Sequence, residues 1–146
     1  MESTELFLYF LKTLAFWCFY LMVVNLIMPK SDPLSVDTKN RIVSISHGLL
    51  GFVVPIYDIL VNKSSFEDPS TEFQKKLIVW SLSYFIYDMI ACWYYGLLDG
   101  STIVHHAVCW LGEGTAVFYG WGATAALGGL IITEVSNFPM HLRKIL

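Results

Sequence analysis

Seven ionisable side chains sit inside stretches otherwise suited to lipid: His47, Asp58, Asp88, His105, His106, Glu113 and Glu134. A charged group at the centre of a spanning helix costs roughly 2.5–3.5 kcal/mol, so such groups face a bundle interior or a wet cavity and mark a site. The sharpest feature is the adjacent pair His105 and His106. Neighbours on a helix point about 100° apart, so the two rings cannot serve one metal as a spacing of four would. No zinc spacing is present, and neither a metal nor another cofactor is expected. Imidazole suits proton or acyl transfer, because with a pKa near about 6.5 it acts as base or nucleophile while a carboxylate fixes its tautomer. Asp88 is the expected carboxylate, which makes His105, His106 and Asp88 the catalytic candidates. The alternative is a histidine pair satisfied by backbone carbonyls.

The other polar groups form stripes. His47 and Asp58 fall on one helical face, as do Tyr84, Asp88 and Tyr95; His106 and Glu113 share another, and Glu134 lies one turn from Asn137. Stripes on four helices predict a polar cavity, lined by His47, Tyr84, Glu113, Glu134 and Asn137 beside the candidates. The competing reading is that these groups hydrogen-bond one another to hold the helices together. Such bonds average only about 0.6 kcal/mol, less than the cost of placing the groups in lipid, which favours function. Asp58, within a turn of its helix end, fits the structural reading better than the rest.

The elements that position these residues follow from composition. The chain has 146 residues, 55% of them hydrophobic and 14% charged, with mean hydropathy +0.57. A chain this short could not hide so much apolar surface in a water-exposed globule. Net charge -3 supplies no basic face for a phosphate backbone, so nucleic acid is not expected as a partner. The fold class is all-α, a multi-pass transmembrane bundle of about five helices in a single domain, residues 1–146. Apolar runs place the helices at 6–28, 42–61, 77–98, 103–119 and 123–138, with a kink at Pro55 and a break at Gly120-Trp121-Gly122. Glu2 and Glu5 before the first run argue for a retained helix rather than a signal peptide. Lys30, Lys39, Arg41, Arg143 and Lys144 against Lys63, Lys75 and Lys76 give a modest preference for an outside N-terminus. The cysteines, Cys18, Cys92 and Cys109, read as small packed hydrophobes. Trp80, Tyr84, Phe85 and Tyr87 at one end of the third run and Trp93, Tyr94 and Tyr95 at the other read as two aromatic belts. Gly112, Gly114, Gly128 and Gly129 read as points of close helix contact.

Four strings carry a resemblance: RIVSISHGLL at 41–50, SLSYFIYDM with Asp88, STIVHHAVCWLG with His105 and His106, and EVSNFPMHLR from Glu134 to Arg143. In this order they resemble the TLC-domain family, which joins TRAM, the ceramide synthases and a neuronal ceroid lipofuscinosis protein, and the likeness spans nearly the whole chain. The resemblance implies helices around a lipid-accessible cavity lined by the twin histidines, Asp88, and Glu134 with Asn137, Pro139 and Arg143. In ceramide synthase relatives the twin histidines serve acyl transfer from acyl-CoA to a sphingoid amine. The downstream aspartates of that branch are missing here, and Glu113 is not a family feature. Family members usually have more crossings, so this chain reads as lacking the last helices of the bundle, with another copy or a partner subunit expected to cover it.

The expected function is therefore binding or handling of membrane lipid in the cavity, contributing to lipid composition; the alternatives are acyl transfer by the twin histidines with acyl-CoA, and a non-catalytic subunit of a larger membrane complex. The endoplasmic reticulum or another endomembrane is the expected compartment, with the plasma membrane and mitochondrial inner membrane as alternatives.

Overall fold

The computed structural model describes residues 3–28 and 33–145; Glu2, Pro29, Lys30 and the Lys144 side chain lie outside what it describes. Among the described residues the chain forms five helices and no strand: α1 Ser3–Ile27, α2 Pro33–Val61, α3 Glu72–Tyr94, α4 Gly100–Tyr119 and α5 Ala123–Ile145. This is the all-α bundle expected. α1, α2 from Val36, and α3 are long and apolar enough to cross a membrane. Against five expected crossings, α4 and α5 fall outside that set: the first carries the two histidines and Glu113, the second Glu134 and Arg143.

Helix ends differ from the apolar runs where local chemistry, not hydropathy, sets them. α2 begins nine residues before Ile42, at Pro33, whose fixed φ and missing N–H suit a first helical position. α3 begins at Glu72 because Thr71 and Gln74 form a capping box: Thr71 Oγ1 accepts from the Gln74 amide at 3.1 Å, and Gln74 Oε1 accepts from the Thr71 amide at 3.0 Å. Asp99 caps α4, its carboxylate accepting from the Thr102 amide at 2.7 Å. That backbone bond, helped by the Ser101 hydroxyl, pushes the Asp99 carboxyl down to about 2. A lowered folded pKa stabilises above the unfolded value of about 3.9, so this cap is intact at neutral pH and is lost only as pH falls through the folded value. α5 runs through Pro139 to Ile145, past the expected end at Phe138, and so carries His141 back to the start of α2. Gly120 ends α4 in the left-handed region, φ 72°, and Gly122 follows at φ 78°. Between them Trp121 pairs with Pro69, and the Ser70 amide donates to Gly120 O at 2.9 Å, tying the 62–71 loop to the α4–α5 turn.

α3 touches all four other helices, and α2 packs most extensively on α5. Tyr84, Phe85 and Tyr87 are buried at 5%, 1% and 3% exposure, so they are core and not a belt; Trp93 and Tyr94 at the other end are exposed. The large exposed hydrophobics of the membrane-crossing helices, such as Phe7, Leu26, Leu49 and Val53, face outward as lipid-solvated surface must. Cys92 and Cys109 are buried and Cys18 is exposed, all three free.

Asp58 is a structural tie. Its carboxylate accepts from Asn62 Nδ2 at 2.9 Å, Ser64 Oγ at 2.9 Å and Gln74 Nε2 at 2.8 Å, and the Gln74 amide also donates to Thr124 Oγ1 at 3.0 Å. One glutamine thus caps α3 and joins the ends of α2 and α5. Gln74→Ala is expected to lower stability by about 2–3 kcal/mol, since it leaves buried partners unmade as well as losing a cap. Thermal unfolding in mild detergent measures it, and a loss under about 0.5 kcal/mol would contradict the role given to the glutamine.

Candidate functional site

α2, α3, α4 and α5 enclose a cavity of about 550 Å³. Six of the residues singled out by sequence line it: Tyr84, Asp88, His105, His106, Glu134 and Asn137. His47 sits in the core behind it, Glu113 lines a different groove, and Arg143 is exposed outside the lining.

The twin histidines have different tasks. His106, 4% exposed, places Nδ1 at 2.7 Å from Thr102 O and Nε2 at 3.1 Å from Asp88 Oδ2. A carbonyl only accepts, so Nδ1 carries a hydrogen, and the tautomer is fixed by the backbone rather than by the carboxylate. Nε2 would then turn a lone pair on Asp88 unless a proton lies between them; the contact is close but not a straight hydrogen bond. The two groups stand close enough for a proton to pass between them. Asp88 is positioned in turn: Oδ1 accepts from Asn40 Nδ2 at 2.8 Å, and Asn40 Oδ1 accepts from the Tyr87 hydroxyl at 3.1 Å. His105 is half-buried, its ring 83° from that of His106 and 5.4 Å away, with Nε2 3.4 Å from Asn137 Nδ2 and 3.9 Å from Cys109 Sγ. With His106 Nδ1 held by Thr102 and Nε2 turned onto Asp88, His105 is the imidazole with a nitrogen to offer a ligand.

A second polar run starts at Glu134, 4% exposed. Its Oε1 is 3.5 Å from His47 Nδ1, His47 Nε2 is 3.2 Å from Ser81 Oγ, and the Ser81 hydroxyl donates to Glu113 Oε1 at 3.3 Å. His47 stacks on Tyr84 at 3.8 Å between centroids, with the planes 10° apart. The run crosses the core from the cavity to the groove that Glu113 lines.

Sequence reasoning missed Asn40, Tyr87, Arg41 and His141. Arg41 holds Asp37 in a two-point ion pair, 2.9 and 2.8 Å, and reaches His141 Nδ1 at 3.1 Å. With Lys39 4% exposed, neither residue is a free interfacial charge of the kind that sets orientation. The available signal is Asp37 four residues before Arg41, an i,i+4 pair that marks helix ahead of the apolar run at Ile42.

The TLC-domain family model matches residues 37–146, which hold every lining residue above. The chain belongs to the TLC-domain family. No curated protein and no solved structure matches it. α1 precedes the matched residues. Within this TLC domain the close helix contact is made by glycines other than those expected. A Cβ at Gly112, Gly114, Gly128 or Gly129 would meet nothing within 4 Å, whereas at Gly48 it would lie 2.7 Å from Glu134 Oε2 and at Gly51 3.4 Å from Glu134 Cγ. Gly48 thus makes the seat for the Glu134 carboxyl. Gly48→Ala is expected to displace that carboxyl from His47 at a cost of about 1–2 kcal/mol, less than backbone overpacking because the struck atom ends a flexible side chain. Thermal unfolding of Gly48→Ala beside Gly128→Ala checks it; equal effects would refute the assignment.

Proposed function

We propose that this TLC-domain protein binds an acyl lipid by its polar end in the cavity between α2 and α5 and so contributes to membrane lipid composition. The observation that carries this reading is the convergence of Asp88, His105, His106, Glu134 and Asn137 from three helices on one cavity inside an apolar bundle. At about 550 Å³ the space is of the size that takes a small ligand or a lipid headgroup. Within the family the short loops and aromatic opening helix resemble TLC domain-containing protein 5. The endoplasmic reticulum or another endomembrane is the proposed location, and a second copy or another subunit the proposed partner.

Lipid co-purifying with the protein in mild detergent, identified by mass spectrometry, is the expected result. His105→Ala is expected to reduce it about tenfold, the size of one hydrogen bond in an apolar site. Protein that carries no lipid, together with an unchanged host lipidome in the variant, would end the proposal.

A second reading, acyl transfer from acyl-CoA, is supported by the close approach of His106 Nε2 to the Asp88 carboxylate next to the half-buried His105 ring. In it an imidazole nitrogen of His105 takes the proton of the attacking amine or hydroxyl, which bonds the thioester carbon as the carbon–sulfur bond breaks, and the imidazole returns the proton to the departing CoA sulfur. Labelled acyl-CoA tested against sphingoid bases and lysophospholipids distinguishes it from binding alone.

A further inference from the structure

We propose that the groove between α4 and α5 is a second lipid site, separate from the polar cavity, that takes a single-chain, hydroxyl-bearing neutral lipid with its hydroxyl on Glu113. The groove is about 470 Å³, and its walls are small or apolar residues, among them Gly112, Ala116, Ala126, Gly129 and Leu130. Glycines at such spacing would let helices close on each other; here a Cβ at Gly112, Gly122 or Gly129 meets nothing within 4 Å, so the stripe leaves space open instead of filling it.

Glu113 lines this space and is the independent observation. It is 3% exposed, its Oε1 accepts from Ser81, and its Oε2 has no hydrogen-bond partner. A buried acceptor left unmade is costly, and a ligand in the groove supplies the missing partner once a turn of the side chain brings Oε2, covered in this structure, to the groove wall. A hydroxyl both donates and accepts, so it satisfies the carboxyl whichever protonation state Glu113 holds. The remainder of the ligand must be apolar, because the neighbouring outer faces of α4, with Val108 64% and Leu111 70% exposed, are surfaces for hydrocarbon. A helix of another chain, roughly 10 Å across, does not enter a groove of 470 Å³, whereas one alkyl chain does. The polar run through Ser81 and His47 to Glu134 places this site in contact with the first cavity without making it part of it.

The test uses the full chain in nanodiscs with a diazirine-bearing long-chain alcohol and the matching alkane, crosslinked residues being mapped by mass spectrometry. The alcohol is expected to label 108–133 at least about tenfold above the alkane, the difference one hydrogen bond makes. Gly112→Leu with Gly129→Leu is expected to cut that labelling about tenfold while elution and thermal unfolding stay as in the parent. Glu113→Leu is expected to erase the preference for alcohol over alkane. Labelling of 108–133 that stays undiminished where His105→Ala has weakened binding in the polar cavity belongs to this site, so failure of one reading leaves the other standing. Equal labelling by alkane, full labelling of the groove-filled variant, or crosslinks joining two copies through 108–133 would each overturn the proposal.

Discussion

Asp88→Ala is expected to lower stability by about 3–5 kcal/mol, whereas Asp88→Asn costs about 1 kcal/mol or less. The alanine removes the anion facing His106 Nε2 and the acceptor of the Asn40 amide in one step, leaving two buried polar groups unmatched. The asparagine keeps both contacts in altered form. Its carbonyl still accepts from Asn40, and its amide donates to the lone pair that neutral His106 presents once Thr102 holds the Nδ1 hydrogen. What the asparagine cannot do is share a proton. The fold survives, while any step that moves a proton through the pair stops. Thermal unfolding in detergent and acyl-transfer or lipid-retention measurements on the two variants separate the roles. Equal destabilisation would show that charge, not shape and hydrogen bonding, holds the pair.

That pair also shows how far the residue pattern reaches. Asp88 and His106 each stand in an apolar helix where a polar group needs a reason, and that cost alone was enough to bring them together. The partners that orient them were not visible in the same way. Asn40 and Arg41 lie in a polar stretch that hydropathy assigns to a loop, yet Pro33 at a helix start and Asp37 paired with Arg41 continue α2 beyond the apolar run. His141 follows Pro139, which suggests a helix end; α5 continues, and the cavity gains its last wall. The glycines show the same limit. Gly48 and Gly112 are alike as letters, and only the neighbouring helix decides that one is filled by Glu134 while the other stays open. The aromatics of α3 are ambiguous for a related reason: a ring at a helix end fits an interface or a core equally until the packing of α1 is known.

α1 supplies that packing through one residue, and Trp17→Ala is expected to cost about 3 kcal/mol, the low end of the range for such a deletion. The low end applies because the exposed state here is lipid, so no hydrophobic transfer is lost and the cavity and packing losses remain. Those losses are concentrated. α1 buries only Thr13, Trp17 and Val24, and the Thr13 hydroxyl donates to its own backbone at Tyr9 O and Phe10 O, so it ties nothing. Trp17, 1% exposed, meets Trp80 at 5.0 Å, Tyr84 at 5.3 Å and His47 at 5.8 Å between ring centroids, and its Nε1 donates to Trp80 O at 3.4 Å. Removing the indole takes the cover from His47 and opens the run between Glu134 and Glu113 to the hydrocarbon side. Trp17→Phe restores ring contact without the donor and is expected to recover more than half of the loss. Thermal unfolding measures both variants, and a Trp17→Ala protein as stable as the parent would mean that α1 is held by its contact with α2, through Tyr20 and Ser46 at 2.8 Å, and not by the indole.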